Sequence, residues 1–325
     1  MKINKYNYSQ IYLLSRSLCL GTLFSFSFFN VGTSALISFI LGTLLGGFFT
    51  LIFSYIKLNK KTKFFELLLY IFFIELSFII ITTFISSFFL NKTPKIIIIL
   101  PSIMLCFYAS LKNNDTLKNF ALVLTFFSII TIIFNFLSLM HFIDIKNILP
   151  LFTFKNNKMI KSVLFYAVIT SAPLLLLNDQ NISQKDFLIS YFITNIISFI
   201  ICFAIVSILG RQLIKMYSYP EYMVLKKIQI SSFIENVENF VSLIWLFDLF
   251  YLITFSIKKT ALILKKNYLT YILVIMICII NSFFINSNYE YMLFIYKNVY
   301  VILYILIIPI IIFSDKKKNY FIPKK

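Results

Sequence analysis

Histidine is almost missing from this sequence: His141 stands alone among 325 residues. A histidine-rich metal site is thereby excluded. Cysteine is scarce too. The four cysteines, Cys19, Cys106, Cys202 and Cys278, each lie inside an apolar run, without metal-ligand spacing, and predict no disulfide. Acidic residues number 12 against 30 lysines and arginines, and charged residues of both signs make up only 13% of the chain, fewer than a soluble domain carries. There is no glycine-rich phosphate loop, no Ser/His/Asp catalytic set and no nucleic-acid motif, so neither an enzyme nor a nucleic-acid-binding protein is expected. Period-two alternation is absent, which argues against an outer-membrane barrel. The first apolar run has no small-residue cleavage site behind it, so it reads as a retained span and not as a signal peptide.

What the chain does have is apolar length. It is 60% hydrophobic and 19% aromatic, which calls for repeated spans of about 20 residues. Backbone groups in lipid must be satisfied internally, so the spans are expected to be helices. Ten can be drawn: Ile11–Phe29, Thr33–Ile56, Phe64–Leu90, Ile96–Leu111, Phe120–Phe142, Ile160–Leu177, Phe187–Gly210, Phe233–Ile257, Tyr268–Ile285 and Leu293–Phe313. The expectation is an all-α polytopic membrane protein forming one domain over residues 1–325. Lys57, Lys60, Lys61 and Lys63 follow span two, Lys258, Lys259, Lys265 and Lys266 follow span eight, and Lys316, Lys317 and Lys318 follow span ten. All fall on one side, which the positive-inside rule makes cytoplasmic, together with both termini. Lys146, Lys155, Lys158 and Lys161 fall outside in this scheme and break the rule. The net charge of +18 is read as topology and attraction to anionic headgroups, not as nucleic-acid binding.

Spans one and six are interrupted, the first by Gly21, Thr22, Ser25 and Ser27, the other by Thr170, Ser171, Ala172 and Pro173. Paired interruptions at matching places in two five-span halves point to a transporter binding site. The halves would be an inverted five-plus-five repeat, about 11–142 and 160–285. Freed backbone groups there can bind a small zwitterion. Small residues that only allow close packing, with a kink at Pro173, are the alternative. Gly21, Thr22, Ser25, Thr170, Ser171 and Ala172 are the candidate ligand residues.

Acidic groups inside spans are costly and expected to face protein or a wet cavity. Glu75 lies ~16 Å into span three, with Arg16 of span one as its expected partner in an ion pair or pathway. Glu66 is nearer the end, within reach of water or Lys63. Before span eight, Pro220 opens a short amphipathic helix expected to lie on the membrane surface, with Tyr222, Leu225 and Ile228 on one side. Ser232-Phe233-Ile234-Glu235 then has the pattern of a capping box. Glu235, Glu238, Ser242, Trp245 and Asp248 follow on one side of the helix. Glu238 and Asp248 are candidate pathway or ion-pair residues; Asp248 could pair with Lys258 or sit in a wet pathway. Trp245 is expected to pack inward or to line a cavity as a ligand contact. His141 reads as an ordinary interfacial residue.

The order Tyr219-Pro220, Leu225-Lys226-Lys227-Ile228, then Phe233-Ile234-Glu235-x-x-Glu238-x6-Trp245 resembles the permease-like B subunit of bacterial spore germinant receptors. That family is a branch of the amino acid–polyamine–organocation transporters. The resemblance extends weakly over nearly the whole chain and is most specific between Tyr219 and Asp248; the segment Asp144–Phe152, DIKNILPLF, is similar to the family's loop after span five. The chain departs from the pattern in three ways: Phe-Ser-Phe-Ser-Phe replaces a proline late in span one, span six lacks an acidic residue near its break, and the chain is somewhat short.

The resemblance implies a LeuT-like fold with broken helices one and six. The Pro220 helix would occupy the place of the superfamily's extracellular lid. It implies a germinant receptor subunit in the spore inner membrane, binding a small nutrient such as an amino acid, beside an A subunit and a lipoprotein C subunit, with ion release following. No cofactor is implied. One rival is a secondary amino acid permease of the same superfamily. Another is a membrane enzyme of envelope polysaccharide assembly, although the external loops Ile143–Ile160 and Arg211–Ser232 offer few arginines or histidines.

Overall fold

The computed structural model describes residues 5–19, 22–151, 156–180, 182–228, 237–265, 267–287 and 289–316. The chain is all-α, with one short strand pair among the described residues. In order come α1 (Lys5–Ser17), α2 (Thr22–Val31), a 3-10 turn, α3 (Ala35–Tyr55), β1 (Ile56–Lys57), α4 (Lys63–Phe88), α5 (Lys95–Ser110) and α6 (Asn114–Leu139). There follow α7 (Asn156–Ser171), a 3-10 helix over Ala172–Leu177, α8 (Gln184–Met216), α9 (Pro220–Leu225), α10 (Val237–Leu264), α11 (Asn267–Ser287), α12 (Tyr289–Phe313) and β2 (Asp315–Lys316). Six helical stretches are long and apolar enough to cross a membrane, and three shorter apolar helices accompany them. The first expected span is built as two helices, α1 and α2.

Helix α6 shows why this is a membrane-embedded protein. Its outward residues include Phe126 and Ile133, 59% and 55% exposed, while Thr125, Ser128, Thr131 and Asn135 are buried. The inward residues recur at intervals of three or four, one face of a helix. Apolar residues outside and hydroxyls inside invert the arrangement that water imposes and suit a lipid surround. Helix α8 repeats the pattern, burying Ser190, Thr194, Asn195 and Ser198.

Helices α3 and α7 pack against each other along their length. Gly42 and Gly46 let their backbones approach: a Cβ on Gly42 would lie 2.6 Å from Tyr166 Cβ and 2.8 Å from the Val163 carbonyl. On Gly46 it would lie 2.2 Å from the Tyr191 hydroxyl. The G-x-x-x-G spacing at 42 and 46 is the signal for such contact. The order of these contacts makes the two helices parallel; Asn178, past the end of α7, donates to the Phe53 carbonyl at 2.8 Å.

The lysine clusters after α3, in α10 and after α12 meet at one end of the bundle. Ile56 pairs with Lys316 and Lys57 with Asp315. Lys60, Lys63 and Lys259 line one pocket beside them, and Lys259 bridges to Asp179 at 2.6 Å. Glu66 is held there by the Thr62 hydroxyl. At the opposite end, α8 bends at Gly210, whose φ of 67° and ψ of 176° belong to a region essentially closed to other residues. Asn147 bridges the bend, its amide donating to the Ser207 carbonyl at 2.9 Å.

The Pro220 helix exists, and its apolar side packs against protein. Pro220, Tyr222, Val224 and Leu225 are buried. The reason is aromatic packing: Tyr222 lies 4.3 Å from Phe88 and 5.5 Å from Phe84 between ring centroids, which ties α9 to α4. The capping box at Ser232–Glu235 lies outside the described residues.

Candidate functional site

A cavity of about 90 Å³ lies between α1, α4, α6, α8, α9 and α10. Its walls are mostly apolar, interrupted by Arg16, Asn135, Glu221, Ser242 and Trp245. Each is there for a local reason. Asn135 ends the inward polar stripe of α6. Trp245 stands against Phe84, ring centroids 4.9 Å apart and perpendicular, the edge-to-face arrangement favoured by aromatic quadrupoles. Glu221 arrives on α9, held by the same aromatic cluster.

Arg16 organises the polar interior. Its guanidinium lies 3.2 Å from Asp248 Oδ2, both side chains buried, and also donates to the Tyr12 and Ser128 hydroxyls. Tyr12 and Ser128 are themselves 2.8 Å apart. On the same helix Gln10 donates to the Tyr251 hydroxyl at 3.1 Å, and Ser15 accepts from Asn195 at 3.3 Å. A buried guanidinium needs a matched carboxylate and several acceptors, and α1 collects them from α6 and α10. Arg16 was expected to meet Glu75; its carboxylate partner is Asp248. Of the two expectations for Asp248, a pair with Lys258 or a place in a wet pathway, the first is not met: Asp248 pairs with Arg16, while Lys258 reaches the Lys112 carbonyl at the lysine-rich end.

On this wall, Arg16 Nε, Asn135 Oδ1 and Trp245 Nε1 are buried without a hydrogen-bond partner among the described residues. Leaving such groups unsatisfied costs roughly 1–3 kcal/mol each. The same wall combines cationic, anionic and amide side chains: Arg16, Glu221 and Asn135.

The sequence-derived residues divide. Trp245 and Arg16 line the cavity. Thr170, Ser171 and Ala172, expected at a site between spans one and six, are not on this wall. They are fully buried, and their hydroxyls are used inside the bundle: Thr170 with the Tyr166 carbonyl and the Tyr191 hydroxyl, both at 2.8 Å, and Ser171 with the Ala167 carbonyl at 2.7 Å. Gly21 lies outside the described residues, as do the side chains of Thr22 and Ser25. Glu238 is buried beside Tyr222, away from the cavity wall. Burial, and then the Glu238 charge, raise the Tyr222 phenol above its ordinary pKa, so it remains a donor, to Asn239 Oδ1 at 2.8 Å. Glu75 is half-buried on α4 and is not a wall residue. Sequence reasoning missed Asn135, Phe84 and Glu221. The Thr125, Ser128, Thr131, Asn135 periodicity was the available signal for the first.

No protein-family model matches the chain, and no curated protein is significantly similar to it.

Proposed function

We propose that this chain is a permease-like membrane receptor subunit that binds a small zwitterionic nutrient in the cavity beside α1, as the B subunit of a spore germinant receptor would. The observation that carries the binding reading is the cavity itself, whose wall brings Arg16, Asn135, Glu221 and Trp245 together. A ligand carboxylate would take the Trp245 and Arg16 N–H groups; its ammonium would take Asn135 Oδ1 and Glu221. A space of about 90 Å³ is smaller than the ~150 Å³ cavity that admits benzene, so the ligand is an amino acid of about alanine size. The receptor assignment rests on the resemblance around Tyr219–Asp248. It is supported by the turn at Leu18 and Cys19 that ends α1 and by the change to a 3-10 helix at Ala172, which suit a LeuT-like inverted repeat with broken helices one and six. The proposed setting is the spore inner membrane, lysine-rich end to the cytoplasm, beside A and C subunits.

Trp245 is the chain's only tryptophan, so intrinsic fluorescence reports directly on this cavity. Purified protein in detergent is expected to show a saturable emission change with glycine or alanine, and none with leucine or phenylalanine. No response to any small amino acid would overturn the binding reading. Spores lacking the gene should lose a response to the same amino acid, and the lone protein in liposomes should not concentrate it. Robust uptake by the lone protein would favour the permease instead.

A further inference from the structure

Arg16 is on the cavity wall, while Tyr12 and Ser128, which hold its guanidinium, are not. A guanidinium carries five N–H donors in one rigid plane. Nη1 donates to both the Tyr12 and the Ser128 hydroxyl. Nη2 faces Asp248 Oδ2 at 3.2 Å. Nε is buried and has no hydrogen-bond partner among the described residues. The terminal nitrogens are thus held by protein, and the Nε edge is the one left for a ligand.

The hold is built from three helices. Tyr12 is one turn before Arg16 on α1, so the two side chains share a face of that helix. The cation also lies over the Tyr12 ring, with Cζ 5.3 Å from its centroid, within range of a cation–π attraction. Ser128 comes from α6 and Asp248 from α10. The Tyr12 and Ser128 hydroxyls are 2.8 Å apart, so each fixes the other as well as the guanidinium. All four side chains are buried. Because the group is planar, fixing Nη1 and Nη2 also fixes where the Nε–H points. A donor that is already ordered has little freedom left to lose when a ligand arrives.

We infer that Tyr12 and Ser128 are positioning residues that give the cavity its preference for a carboxylate over a neutral carboxamide. They touch the guanidinium and not the ligand. This role rests on the reading of the cavity as a zwitterion site, and adds the device that selects the ligand's anionic end. A carboxylate meets the ordered cation with a full opposite charge, a carboxamide only with a dipole. Loosening the cation therefore weakens the carboxylate more.

The test titrates the whole chain in detergent with L-alanine and, separately, with L-alaninamide, which keeps the ammonium and lacks the carboxylate. Trp245 fluorescence gives the half-saturating concentration of each. Tyr12→Phe keeps the ring and removes the hydroxyl; Ser128→Ala removes the other; Ser128→Thr retains one. Gln10→Leu removes a different anchor of α1, the 3.1 Å bond to Tyr251, and controls for general loosening of that helix. Tyr12→Phe and Ser128→Ala are each expected to weaken alanine about tenfold, and alaninamide less than about twofold. Ser128→Thr should bind as the parent does. Gln10→Leu should lower the melting temperature and leave the ratio of the two ligands unchanged. Where Ser128→Ala does not fold, Tyr12→Phe decides, since it keeps the buried ring. If both ligands weaken equally, or neither does, the positioning role is overturned while the cavity remains a binding site. Ser128→Thr behaving as Ser128→Ala, or a parent that binds alaninamide as tightly as alanine, would overturn it too. A parent that responds to neither ligand would instead overturn the zwitterion reading, and the positioning role with it.

Discussion

The Arg16 guanidinium on α1 and the Asp248 carboxylate on α10 meet at 3.2 Å with almost no exposure of either side chain. They are 232 positions apart, and the contact joins the first helix to the tenth. Removing one partner of such a pair strands the other in a dry interior. Asp248→Asn or Arg16→Gln alone is expected to lower stability by about 3–5 kcal/mol. The double change Arg16→Met/Asp248→Leu should recover most of that loss, because no charge then remains buried. Thermal unfolding in detergent measures all three; single variants as stable as the parent would show that the charges are not held together.

The glycines of α3 permit an ordered prediction. Gly42→Ala places its methyl against Tyr166 Cβ and a backbone carbonyl, atoms that cannot swing away. Gly47→Ala meets only the tip of the Phe192 ring, at 2.6 Å, which a small rotation relieves. Gly42→Ala should therefore cost about 1–3 kcal/mol and Gly47→Ala clearly less. Equal melting temperatures for the two would contradict the close α3–α7 contact.

At the bend in α8, Gly210→Ala forces a side chain into a backbone conformation that costs about 1–3 kcal/mol. Asn147→Ala removes the amide that satisfies the Ser207 carbonyl and should cost about 1 kcal/mol. The two sites touch, so the double variant should lose less than the sum. Strict additivity in a double-mutant cycle would separate them.

In the cavity, Trp245 is kept as the reporter while the acceptor is removed. Asn135→Leu preserves approximate volume and deletes the group assigned to the ligand ammonium. The half-saturating concentration of alanine should rise about tenfold, the effect of one lost hydrogen bond to a charged group. An unchanged titration would remove Asn135 from the site and with it the zwitterion pose.

The site was only partly legible beforehand. Trp245, Arg16 and Asp248 stood out because polar or amphipathic groups within apolar runs are costly and so conspicuous. Their pairing did not. Arg16 has two intramembrane carboxylates to choose from at comparable apparent depth, Glu75 and Asp248, and helix depth says nothing about which helix lies alongside. Thr170, Ser171 and Ala172 are ambiguous for a similar reason. Small hydroxyl residues beside a proline suit both a ligand site and a tight helix contact, and here Tyr191 and the α7 backbone engage them.

What the sequence determined by itself was the class: long apolar runs with few charges must become helices in lipid, whatever their neighbours, because the backbone has no other partner there. It also determined which lysines share one end, since charge position along a run translates directly into depth. Only the tertiary structure decided that α9 is buried and that α6 turns its hydroxyls inward onto α1. Those outcomes depend on which helix faces come together, and in an apolar surround that choice is made by shape and hydrogen bonding between side chains far apart in the chain.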